Sequence, residues 1–221
     1  DKLCLPLSVS ETHSQANLRK SHDEVLEEIR KISEYIEQLE KSQRPEFEGN
    51  LSTAFGCTLE GKVSEDLVLK LGARMMELGC DEIGLSDTTG YANPNQIKRL
   101  IRLLNKEVGQ ENLKSMHLHN TRGLGLANAL ASLEEGITTL DSSLGGIGGC
   151  PFAPGASGNI VTEDLVFMLD AMGVETGIDI NKLLEVTNKV QSFIPDESIY
   201  GFTKDSGLPI GYEKGWGIVR S

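Results

Sequence analysis

The sequence predicts an α/β protein in which helices pack around a parallel β-sheet. Three observations predict it. Short apolar runs alternate with amphipathic helical stretches, giving five strand-then-helix units. Most of the helical stretches carry their own start or stop signals. At 221 residues, 38% apolar and 24% charged, the chain has ordinary globular composition and enough length to bury a core.

The units follow in order. "LCLPLSVS" is the first strand, and "SHDEVLEEIRKISEYIEQLEKSQRP" the helix after it. Ser21 is its N-cap, Glu24 completes a capping box, Val25, Ile29, Ile32, Ile36 and Leu39 form one apolar stripe, and Pro45 ends it. The stripe is short and the charges lie opposite it, which describes a solvated outer face better than a coiled coil. "NLSTAFG" precedes a helix from Ser64 to Leu78 closed by Gly79. "DEIGLSD" precedes "NPNQIKRLIRLLNKEVG", with Asn93 as cap, Pro94 at the first helical position and Gly109 as stop. "KSMHLHN" leads to "LGLANALASLEEG". "ITTLDSSLGG" leads, through a glycine-rich stretch, to "TEDLVFMLDAMG", capped by Thr162, and to a further helix near "NKLLEVTNKVQSFI". Residues 195–221 show no helical period and read as a C-terminal surface arm, so the expected domain is 1–194. Five units fit either an open doubly wound sheet or part of an eight-stranded barrel.

Composition narrows the function. A formal charge of −12 with only 21 basic residues argues against nucleic acid and anionic membrane surfaces, which recruit clustered Lys and Arg. No apolar stretch approaches the ~20 residues of a bilayer span, and no targeting segment is visible. The expected location is the cytoplasm, or an organelle matrix. Cys4, Cys57, Cys80 and Cys150 are scattered without zinc-ligand spacing, so reduced thiols are expected.

In parallel α/β folds, sites lie beyond the carboxyl ends of the strands. There "SMHLHN" places His117 and His119 two residues apart, so both rings project from the same side of a strand. Such a pair suits a divalent metal, or else two histidines hydrogen-bonded in a polar lumen. Asp87, in "GLSDTTG", either orients a ligating histidine or closes an Asx-turn. Asp141 reads as a structural hydrogen-bond acceptor, and His13 and His22 as surface or capping residues. The stretch "SLGGIGGCPFAPGASGN" lacks a phosphate-loop signature, and its prolines stiffen it too much for a linker. What remains is an active-site loop carrying Cys150 and ending at Asn159, whose side-chain oxygen is a further candidate ligand.

At this point the residues resemble a known family. "SLGGIGGCPFAPGASGNIVTEDLVFML" is similar to the signature loop of the 3-hydroxy-3-methylglutaryl-CoA lyases, within the DRE-TIM metallolyases. "HLHNTRGLGLANAL", "GLSDTTGYANP", "LSTAFGC" and "SVSETHS" match the neighbouring strand ends in order, over about Leu3 to Ile194. The resemblance implies a (β/α)8 TIM barrel, incomplete in this chain, which would supply strands four to eight. The Arg-Asp pair of the family's first strand and the glutamate of its second are not matched here, and Thr58 stands where the family usually has proline. Also implied are an Mg²⁺ or Mn²⁺ cofactor held by His117, His119 and Asn159, catalytic roles for Cys150, His117 and Asp87, an acyl-CoA substrate, and a homodimer or higher oligomer. By the same resemblance the reaction is carbon–carbon cleavage of 3-hydroxy-3-methylglutaryl-CoA to acetyl-CoA and acetoacetate. The location would be cytoplasmic in a bacterium and the mitochondrial matrix in a eukaryote. Related readings are a lyase for a larger 3-hydroxy-3-alkylglutaryl thioester, a Claisen-type synthase, a metal-dependent hydrolase, or an inactive truncated barrel.

Overall fold

The computed structural model describes residues 1–149 and 158–215. Five parallel strands form one sheet: β1 (Lys2–Ser8), β2 (Glu46–Ser52), β3 (Glu82–Asp87), β4 (Leu113–Leu118) and β5 (Thr139–Asp141). Their spatial order is their sequence order. A doubly wound sheet reverses strand order at a switch point, so this sheet is not of that kind.

The chain divides into two compact units. The first, residues 1–141, holds the sheet with helices α1 (Glu11–Leu18), α2 (His22–Gln38), α3 (Glu65–Glu77), α4 (Pro94–Val108) and α5 (Gly125–Glu134). Its core is set by strand alternation. Leu7, Phe47, Leu51, Ile83, Leu85 and Met116 are at most 1% exposed, on the side the helices cover. Gly49 leaves room for the end of the Met75 side chain on α3, since a Cβ there would lie 2.6 Å from its terminal methyl. The predicted caps are present: Ser21 and Glu24 form a capping box on α2, Asn93 and Gln96 another on α4, and Gly109 ends α4 at φ 91°. Helix α1 was not predicted. It is short and without apolar periodicity, and is held by Ser10, whose hydroxyl accepts from His13 N.

On the other side of the sheet, the strand beginnings carry an ionic array. Lys2 contacts Glu48 and Glu82, and Lys114 contacts Glu82 and Glu46. Burial pushes the Glu48 carboxyl up, but bonds from Ser115 and Asn50 and the Lys2 ammonium outweigh this and hold it below its ordinary range.

The second unit comprises Ser142–Gly149 and the chain from Gly158 onward, with helices α6 (Thr162–Ala171), α7 (Ile180–Phe193) and α8 (Phe202–Ser206). Thr162 is not the cap expected. Val161 occupies the N-cap without a side-chain bond, and the Thr162 hydroxyl donates to Ser142 Oγ at 2.9 Å instead. Within the arm expected from 195 on, α8 forms because Asp164 accepts from Phe202 N and Thr203 N at 3.1 and 2.7 Å. No helix among the described residues is long and apolar enough to cross a membrane.

Candidate functional site

Strand β4 places the histidines. Met116 and Leu118 are fully buried toward the helices, and the intervening His117, with His119 just past the strand end, takes the other side. The two Nε2 atoms are 3.3 Å apart, with ring centroids 5.2 Å apart and planes at 69°. His119 is buried, whereas His117 is part-exposed. His117 pairs in register with Ser86 of β3 and Asp141 of β5, and Asp141 Oδ2 lies 3.4 Å from His117 Nδ1.

Two imidazole nitrogens at this separation fit a shared divalent ion, since ligand nitrogens sit ~2.0–2.1 Å from such a metal. Among the described residues no group of three or more His, Cys, Asp or Glu side chains converges to hold one.

Asn159 belongs to the second unit, in the neck of the glycine-rich loop. Its backbone N donates to Gly148 O at 3.1 Å and its Nδ2 to Ile147 O at 3.0 Å, while its Oδ1 is buried without a hydrogen-bond partner among the described residues. An amide oxygen left in this way fits a hard-cation ligand. The neck is tight: a Cβ on Gly158 would lie 1.5 Å from Gly146 O. Glu163, fully buried on α6, accepts from Gly145 N at 3.0 Å and from the Thr187 hydroxyl on α7, and so fixes the entry to the loop. Cys150 lies outside the described residues.

Asp87 is set apart from the histidines. Its register partner is Leu118, which puts it on the helix side of the sheet. The carboxylate accepts from Tyr91 N at 2.9 Å and Ala92 N at 3.1 Å. Burial pushes its carboxyl up to about 6 despite those bonds and the nearby Arg122. Arg122 stacks 4.5 Å over the Tyr91 ring and donates to Thr89 O and Gly90 O, fastening the loop after β4 to that after β3. A cleft of about 460 Å³ between the loop after β2 and helix α4 is lined by Phe55, Lys62, Gln96 and Arg99, and does not include the histidines.

His13 is not a surface residue. It is 1% exposed, and its Nδ1 lies 2.7 Å from Ser8 Oγ, which in turn meets Ser52 Oγ at 3.1 Å. Burial lowers the pKa of His13. His22 also turns inward, with Nε2 2.8 Å from Ser8 O and Nδ1 2.8 Å from Glu11. Nothing local in the sequence signals these contacts, because they depend on how α1 and α2 pack against the end of β1.

Residues 2–190 match the HMGL-like family model, which is most of the chain. The chain belongs to the HMGL-like family. This HMGL-like chain is 37% identical over 191 residues to a hydroxymethylglutaryl-CoA lyase of Bacillus subtilis, covering 86% of the chain and 62% of the relative. It is 39% identical over 181 residues to the mitochondrial hydroxymethylglutaryl-CoA lyase of Homo sapiens, covering 82% and 54%. The solved HMG-CoA lyase of Acinetobacter baumannii, in complex with coenzyme A and 3-methylmalate, superposes with a TM-score of 0.87 at 40% identity, covering 96% of this chain and 67% of that one. The chain thus spans between half and two thirds of the length of these curated relatives.

Proposed function

We propose that this protein is a divalent-cation-dependent carbon–carbon lyase that converts 3-hydroxy-3-methylglutaryl-CoA to acetyl-CoA and acetoacetate. The observation that carries the reading is the convergence of His117 and His119 at the strand ends of an HMGL-like sheet. Coenzyme A in the Acinetobacter relative supports an acyl-CoA substrate. We also read the five strands as an arc of a (β/α)8 barrel, its last five strands by the sequence resemblance. Sequential parallel order without reversal supports this.

The net reaction breaks the C2–C3 bond and moves one proton from the C3 hydroxyl to C2, with neither water nor an oxidant entering. His117 and His119 through Nε2 would hold Mg²⁺ or Mn²⁺, and the sequence resemblance gives Asn159 as a further ligand. When bound, the ion supplies Lewis acidity that lowers the hydroxyl pKa and polarises the emerging ketone. Cys150 delivers the proton to C2, a task suited to a thiol of pKa ~8.5. Glu163 and the close contact of Gly158 with Gly146 hold the neck from which that loop departs. Asp87, bonded to Tyr91 N and Ala92 N, acts by holding the turn after β3.

Incubation with 3-hydroxy-3-methylglutaryl-CoA and Mg²⁺ or Mn²⁺ should release acetoacetate and acetyl-CoA in equal amounts. Cys150→Ala should slow this ~10²–10⁴-fold. No acetoacetate from the wild type, or an undiminished rate in the variant, contradicts the reading. A panel of larger 3-hydroxy-3-alkylglutaryl thioesters defines the acyl group.

A further inference from the structure

His117 presents different neighbours to its two ring nitrogens. Nε2 faces His119 Nε2 at 3.3 Å, and Nδ1 faces Asp141 Oδ2 at 3.4 Å. A neutral imidazole has one proton to place. On Nε2, that proton would occupy the side shared with His119 and leave the Nδ1 lone pair against a carboxylate. On Nδ1, it sits on the ring edge that lies 3.4 Å from the carboxylate and leaves the Nε2 lone pair turned toward His119.

We propose that Asp141 is the positioning residue that holds His117 in its Nδ1–H form, with Nε2 free to ligate. Strand pairing itself delivers the carboxylate: Asp141 is the last residue of β5 and the register partner of His117. Asp87, the carboxylate at the end of β3, is not available for this role. It lies on the opposite side of the sheet with its oxygens engaged by Tyr91 N and Ala92 N. The same assignment makes His119 the donor across the 3.3 Å contact whenever no cation lies between the rings. The Asp141 side chain is 51% exposed, so solvent weakens its Coulomb attraction, and the preference between tautomers rests on its 3.4 Å approach to Nδ1. Metal-ligating histidines generally donate their second ring N–H to such a group, and its loss costs ~10–100-fold in metal affinity.

The metal arm of this inference rests on the proposed lyase reading, whereas the tautomer arm does not. In ¹⁵N-labelled protein, long-range ¹H–¹⁵N spectra recorded where the rings are neutral should show His117 protonated at Nδ1. In Asp141→Asn the side-chain amide can donate to Nδ1, so the ring should move to the Nε2–H form. Asp141→Ala should give a mixture, with the thermal midpoint of both variants near that of the wild type. Titrated Mn²⁺ should broaden the His117 and His119 signals, at ~10–100-fold higher concentration in Asp141→Asn. A wild-type His117 protonated at Nε2, or a tautomer unchanged in both variants, overturns the role of Asp141 whatever Mn²⁺ does. A wild type with the Nδ1–H tautomer but no Mn²⁺ broadening supports the role of Asp141 and overturns the metal reading.

Discussion

At the end of the sheet where the strands begin, Lys2, Glu46, Glu48, Glu82 and Lys114 form one ionic array, whereas at the end where they finish the same side carries Ser52, Ser86, His117, His119 and Asp141. In the array, the fully buried Glu82 is held between two ammonium groups, and Glu48 accepts from Lys2, Asn50 and Ser115. Opposite charges there are paired with one another. At the other end two imidazoles face each other across 3.3 Å, with a half-exposed carboxylate behind one of them. One end pairs its charges internally, while the other carries two imidazoles that face each other beside a half-exposed carboxylate, and parallel α/β folds separate a stabilising end from a functional end in this way.

Breaking the compensated end should have the largest effect. In the double variant Lys2→Met, Lys114→Met, the buried Glu82 loses both cations, and the fold should weaken by ~3 kcal/mol in denaturant unfolding, at the low end for a stranded buried charge. Both lysines keep about a third of their side-chain surface in water, which is why the low end applies. Mn²⁺ broadening of His117 and His119 should be unchanged, and a loss of it in folded protein would erase the contrast between the two ends.

A smaller, pH-dependent effect sharpens the position of Asp87. Its carboxyl is pushed up to about 6 from an ordinary 3.8, so the folded state binds the proton more tightly than the unfolded chain. The stability this contributes is fully present below pH 3.8 and is lost as pH rises through about 6. Relative to Asp87→Asn, the wild type should lose ~2–3 kcal/mol of unfolding free energy between pH 4 and pH 7. A difference independent of pH would place the carboxylate in a solvated setting instead.

What the sequence revealed is what local chemistry decides. The capping boxes at Ser21 and Asn93 and the shared side of His117 and His119 each depend on residues within a few positions of one another. The side taken by Asp87 was equally local: it stands in alternation with Ile83 and Leu85, both buried against the helices. Of the two readings the sequence left open for Asp87, orienting a histidine or closing a turn, its bonds from Tyr91 N and Ala92 N fit the turn. Asp141 behind His117 depends on the register between two strands, and the burial of His13 on α1 packing against Ser8, neither of which is written in either segment. The five residues of α8 are too few for a helical period to show, and the helix is held by Asp164, far away in sequence.

The most direct test of the division between the two ends is thermal unfolding of the wild type and His117→Ala, with and without excess Mn²⁺. A bound ion at 100 times its Kd adds ~2.7 kcal/mol to folded-state stability. If His117 ligates the ion, the wild-type midpoint should rise by several degrees, the metal-free midpoint of His117→Ala should stay close to wild type, and that variant should show little or no rise. A wild-type midpoint indifferent to Mn²⁺, or an equal rise in both proteins, would contradict it.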